Sequence, residues 1–189
     1  MHSYYDSKLD ADVDLIVAGE CMAAPEGSII ATLLGSCVAV TLYDSRNRIG
    51  GMNHFMLPAP PASADAHRLT TGKYGIHAMI QLISRVIRLG GCDYCLTAKV
   101  FGGGHVLGIS KDDGKALPDE NVRFALSYLR DKDIPVEATH VGGNRGRKIY
   151  LDTGSGKVML KTLMSRTDER SKPIITRTPQ VRCLGTAGY

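Results

Sequence analysis

No stretch of the 189-residue chain is both long and apolar enough to span a bilayer. Its first residues, MHSYYDSKLDADVD, lack the basic and apolar regions of a signal peptide. These two absences lead us to expect a cytoplasmic protein. Cysteine is sparse and irregular: five residues, an odd number without framework spacing, suit a reducing compartment. Cys92 and Cys95 form one CxxC, but no second pair of cysteines or histidines completes a zinc set. That pair leads into the strand-like run LTAKV rather than opening a helix, as a redox motif would. The FGGG run at 101–104 has neither the lysine of a P-loop nor a GxGxxG that opens a helix, so close backbone packing explains it better than phosphate binding. No metal or cofactor is implied. The formal charge of +4 is also local, because Ser165–Tyr189 holds five Lys/Arg against two acids, a net +3. No basic surface interleaved with aromatics accompanies it, which argues against nucleic acid as a partner.

What is present centres on Ile29–Pro58. Ile29–Leu34 and Val38–Tyr43 are short apolar runs rich in β-branched residues, separated by Gly35-Ser36, and Ile49–Leu57 is a third apolar run after the polar turn Asp44–Arg48. Pairing of the second and third runs as a hairpin brings Cys37 near His54. A thiol beside an imidazole is a nucleophile beside its base. A glycine turn at Gly35-Ser36 exposes backbone N–H groups suited to an oxyanion. The plainer account is a small buried cysteine and a satisfied core histidine, and spacing alone favours it.

The surrounding residues shift that balance. LGSCVAV (Leu34–Val40), GMNHFMLP (Gly51–Pro58), GKYG (Gly72–Gly75), FGGG (Phe101–Gly104) and GGNRGRKIYLDTGSGKV (Gly142–Val158) occur in one order. Together they resemble the bacterial chemotaxis protein family CheD, over about residues 14–164. The resemblance implies a chemoreceptor glutamine deamidase with a Cys-His-Thr catalytic set, carried here by Cys37 and His54. It implies a fold like the catalytic domain of the cytotoxic necrotizing factor toxins, no cofactor, and chemoreceptors and a CheC-type phosphatase as partners, met at the inner face of the membrane. The family order puts the threonine before the LGSC run, at Thr32. Straight-strand alternation would instead send Thr32 and Cys37 to opposite faces and favour Thr41, unless Gly35 kinks the chain. Tyr74, Gly103, Asn144 and Arg145 fall in the matched motifs as substrate or partner contacts, although Asn144 and Arg145 can equally order the site loops. Two rival functions stay open: a non-catalytic module that binds receptors or the phosphatase, and a cysteine peptidase.

The rest of the chain supports one α+β domain at 13–164, a mixed-sheet sandwich flanked by helices, with a flexible arm at 1–12 and a basic flexible tail at 165–189. Val13–Gly19 reads as a strand, Cys21–Gly27 as a loop, and Ala59–Thr71, which carries His67, as a loop able to cover the site. Ile76, Met79, Ile80, Ile83, Val86 and Ile87 mark one apolar stripe of a helix over Lys73–Leu89. Asp119 caps a second helix, Glu120–Arg130. Val136–Val141, Lys148–Asp152 and Lys157–Leu163 complete the strands.

Overall fold

The computed structural model describes residues 2–60, 71–106 and 117–163. Residues 61–70 of the segment expected to cover the site, with His67, and the expected tail at 165–189 lie outside these residues. Among the described residues, ten strands form two five-stranded mixed sheets. The first has the order β1 (His2–Asp6), β2 (Ala11–Leu15), β4 (Ile29–Leu34), β9 (Arg147–Asp152), β10 (Val158–Thr162). The second runs β3 (Cys21–Pro25), β6 (Ile49–Asn53), β5 (Val38–Asp44), β7 (Leu96–Gly102), β8 (Val136–Val141). Helices α1 (Gly75–Arg88) and α2 (Leu117–Asp131) cover the outer face of the second sheet.

Alternation along β5 produces these layers. Val38, Val40 and Leu42 point into the core beneath the helices, with Phe55, Met79 and Leu82. Ala39 points the other way, into a second core between the sheets, with Ile30, Leu34, Met52 and Ile149. The expected hairpin forms, since β5 and β6 pair antiparallel with Thr41 opposite Met52 and Asp44 opposite Ile49. Asp44 closes its turn by accepting hydrogen bonds from the Arg46, Asn47 and Cys92 amides. The ladder is regular through Gly50 and Gly51, so these glycines serve close approach and not a bulge: a Cβ on Gly51 would lie 2.8 Å from Leu82.

Several expectations need correction, and one of them is the cap at Asp119, which lies inside the first turn of α2 because that helix begins at Leu117. Residues 2–6 form β1, paired with β2, where the sequence reads as a flexible arm. Lys148 anchors it by donating to the Tyr4 hydroxyl at 2.7 Å while lying over the Tyr4 and Tyr150 rings, a tertiary contact that a polar N-terminus does not advertise. The expected strand over Val13–Gly19 accordingly starts earlier and ends at Leu15. Cys21–Pro25 is β3 rather than a loop, because its small side chains fit against the Gly50-Gly51 stretch of β6. Finally, α1 presents Ala78, Met79, Leu82 and Val86 to the core, leaving Ile76, Ile80 and Ile87 partly or largely exposed. The helix is apolar on more than one side, and the sheet beneath it selects which side is buried.

Candidate active site

The chain changes sheets at Gly35-Ser36-Cys37, between β4 and β5. This crossing resolves the parity problem. Thr32 faces inward from the first sheet, between Ile30 and Leu34, and Cys37 packs against the same inter-sheet core from the edge of the second. The two faces look at each other, so five residues of separation bring both side chains into one layer.

His54 enters that layer from the end of β6. Its amide donates to the Glu20 carbonyl at 3.0 Å, and its carbonyl accepts from the Gly19 amide at 2.7 Å. Phe55 and Val38 exchange two backbone hydrogen bonds, at 2.9 and 3.1 Å. In that register Cys37 and His54 are diagonal neighbours on one face, the relation that lets side chains on adjacent strands interact. The Asn53 side chain, fully buried, accepts from the Val40 amide at 2.9 Å and fixes the strand beside His54. Asn121 of α2 donates to the Met56 carbonyl at 2.8 Å and fixes it on the other side.

The hydroxyl that meets the imidazole is that of Thr32, at 2.8 Å from His54 Nδ1. Thr41 lies in β5 opposite Met52 and Lys99. Thr32 Oγ1 also donates to the Ile16 carbonyl at 2.8 Å. A hydroxyl has one proton to give, so with that proton on Ile16 the oxygen accepts from His54 Nδ1–H. The network therefore assigns the tautomer: the proton is on Nδ1, and Nε2 carries a free lone pair. Nε2 is buried and has no hydrogen-bond partner among the described residues. Burial lowers the imidazole pKa to about 4, so His54 is neutral near pH 7.

Cys37 is half-buried, and burial pushes its thiol above the ordinary value although the Ser36 side chain and its own backbone N–H favour the thiolate. The resting pair is thus a neutral thiol and a neutral base. The nucleophile segment is gripped from outside by the glycine run: the Gly103 amide donates to the Cys37 carbonyl and the Gly104 amide to the Gly35 carbonyl, both at 2.8 Å. Gly102 adopts φ +112°, and a Cβ there would lie 2.1 Å from the Cys37 carbonyl oxygen. Only glycine allows that approach.

Asn144 and Arg145 stand on the β8–β9 loop and, with Gly35, Leu33, Val106 and Leu163, line a shallow hollow of about 320 Å³ next to the nucleophile segment. Tyr74 is the residue before α1 and bridges to Leu57. Cys92 and Cys95 lie on a 3-10 turn at the start of β7, whose other end reaches Cys37. Among the described residues no group of three or more His, Cys, Asp or Glu is arranged to hold a metal ion.

The family model described as CheD chemotactic sensory transduction matches residues 56–162. The chain belongs to the CheD family. It is 41% identical to "Probable chemoreceptor glutamine deamidase CheD 1" of Shewanella oneidensis over 168 residues, which span 87% of this chain and 80% of that protein. It is 42% identical to the protein of the same name from Anaeromyxobacter dehalogenans, over 77% of this chain and 82% of the relative. It is 37% identical to "Probable chemoreceptor glutamine deamidase CheD" of Laribacter hongkongensis, over 85% of this chain and 77% of the relative. The family model begins at Met56, two residues after His54, so the Thr32, Cys37 and His54 arrangement is a separate line of argument from the match itself.

The residue the sequence reading overlooked is Arg147. It is nearly fully buried beneath the loop that carries Asn144 and Arg145. Nothing in its spacing or periodicity sets it apart from its neighbours in the motif.

Proposed function

We propose that this CheD-family chain is a chemoreceptor glutamine deamidase in which Cys37, His54 and Thr32 form the catalytic set. The observation that carries the reading is the Thr32–His54 hydrogen bond, because it leaves Nε2 as a free base in the layer that holds the thiol. In the first half-reaction the Cys37 sulfur attacks the glutamine carboxamide carbon as Nε2 takes the thiol proton. Nε2 then returns that proton to the leaving nitrogen, ammonia departs, and a thioester joins Cys37 to the glutamyl side chain. Water, deprotonated by Nε2, attacks the thioester, and glutamate and free thiol result. Thr32 accepts from Nδ1–H throughout and stabilises the imidazolium formed in each half-reaction, a neutral counterpart of the acid in a Ser-His-Asp triad. The Gly35–Cys37 turn supplies the backbone N–H groups for the oxyanion.

The names of the relatives supply the substrate class, and the hollow lined by Asn144 and Arg145 suits a protein segment lying across the nucleophile turn. Membership in the family extends the proposal to a CheC-type phosphatase partner and to action on receptors at the inner face of the membrane. No helix among the described residues is long and apolar enough to cross a membrane. The test is ammonia release from a cytoplasmic receptor fragment together with its chain length. Ammonia with an intact chain supports the deamidase. New chain ends would make the protein a peptidase, and binding without ammonia would make it a docking module.

A further inference from the structure

Arg147 is 2% exposed, so its charge is held out of water. Among the described residues its hydrogen-bond partners include no carboxylate. Nη1 donates to His140 Nδ1 at 2.9 Å and to the His140 carbonyl, and Nη2 donates to the Gly142 carbonyl and, at 3.3 Å, to that of Arg145. Nε is buried without a partner among the described residues. A buried cation neutralised only by dipoles is costly, and an apolar residue would fill the same space more cheaply. The planar fork of a guanidinium, however, holds several acceptors in one fixed arrangement.

Those acceptors all belong to the segment 140–145, and that segment holds the glycine run. The Gly142 amide donates to the Gly102 carbonyl at 2.9 Å, and the His105 amide donates to the Gly143 carbonyl at 2.7 Å. The glycine run in turn holds the nucleophile turn through Gly103 and Gly104. Gly104 also abuts the cation directly, since a Cβ there would lie 3.2 Å from both Arg147 Nη2 and the Gly35 carbonyl oxygen. Backbone hydrogen bonds make every link from the β8–β9 loop to Cys37, and one side chain fixes the loop at the far end.

We propose that Arg147 is a positioning residue for the nucleophile: by fixing the His140, Gly142 and Arg145 carbonyls it holds the glycine run against the Gly35–Cys37 turn and keeps the Cys37 thiol half-buried. The inference rests on Cys37 being the nucleophile. Releasing the fork loosens the turn, which exposes the thiol to small reagents while removing it from the geometry that turnover needs. Reactivity at Cys37 and catalysis then move in opposite directions in a folded protein, whereas general destabilisation would raise alkylation at the partly buried Cys21 as well.

The experiment measures alkylation of Cys37 by iodoacetamide, read by peptide mass spectrometry, and kcat and KM for ammonia release from a receptor fragment. It uses the full chain, Arg147→Met and Arg147→Lys, with thermal unfolding to establish that each variant is folded. Arg147→Met is expected to alkylate at least fivefold faster at Cys37 and to lose at least thirtyfold in kcat with KM within threefold. Arg147→Lys, which keeps the charge but not the fork, is expected to fall between wild type and Arg147→Met in both readouts. Alkylation within twofold of wild type in a folded Arg147→Met protein overturns the proposal, whatever the ammonia assay gives. Failure of both variants to fold also overturns it, because the role would then be that of the whole domain. If wild type releases no ammonia, the deamidase reading fails, while the alkylation rates still decide the role of Arg147.

Discussion

At the scale of single residues, the account turns on one proton. Thr32 spends its hydroxyl hydrogen on the Ile16 carbonyl and so can only accept from His54. Thr32→Val removes that acceptor, keeps the shape, and frees the imidazole to adopt the tautomer with its proton on Nε2. Turnover is expected to fall by one to two powers of ten, about 1.4 to 2.7 kcal/mol of transition-state stabilisation. Thr32→Ser should retain most activity, and steady-state kinetics on a receptor fragment checks both. A Thr32→Val enzyme within twofold of wild type would remove Thr32 from the catalytic set. Cys37 and His54 were legible in the sequence as residue types on neighbouring apolar runs. The Ile16 carbonyl was not, because a backbone acceptor carries no residue signature.

At the scale of elements, the site depends on two segments meeting at closer range than side chains allow. Gly102, at the end of β7, has φ +112° and lies against the Cys37 carbonyl. Gly102→Ala places a methyl group in that contact and forces a backbone conformation disfavoured for alanine, so it should destabilise the domain by about 2 to 4 kcal/mol. Urea unfolding measures it, and a loss under 1 kcal/mol would mean that the turn has room to move. The strands around the site were readable because β-branched residues and period-two alternation mark them, as in β4, β5 and β7. Two features were not. The switch of β4 and β5 between sheets resets alternation without changing the local pattern, which is why straight-strand parity pointed to Thr41. The buried side of α1 is chosen by the sheet below it, since isoleucines occur on the other side as well. The β1 strand was hidden for a related reason, as Lys148, 144 residues away from Tyr4, holds it.

For the whole molecule, the buried neutral imidazole links stability to pH. Folded His54 has a pKa of about 4, against an ordinary value near 6.5, so between these values the unfolded chain binds more protons than the folded one. Its contribution is complete above pH 6.5 and declines as the pH falls toward 4. From pH 7 to pH 4.5 the fold should lose about 2 to 3 kcal/mol from this group. Asp44 adds to the loss at lower pH. Burial alone would raise its pKa, but hydrogen bonds from the Cys92 and Asn47 amides, the Asn47 side chain and the Arg46 amide outweigh that and hold it low. Its stabilising effect is therefore lost only as the pH falls through that lowered value. Denaturant unfolding of wild type and His54→Gln at the two pH values separates the contributions. The variant should lose less than wild type between pH 7 and pH 4.5, and equal losses would mean that His54 is solvated in the folded state.

On the proposed function, half-buried Cys37 and buried His54 offer a thiol and a base to an amide carbon, at a turn beside a shallow hollow. The most direct test is peptide mass spectrometry of a cytoplasmic receptor fragment after incubation with wild type and with Cys37→Ser. The account predicts conversion of specific glutamines to glutamates by wild type, with the fragment intact, and loss of nearly all conversion in a folded Cys37→Ser protein. Conversion by Cys37→Ser at the wild-type rate, or cleavage of the fragment in place of conversion, would contradict it.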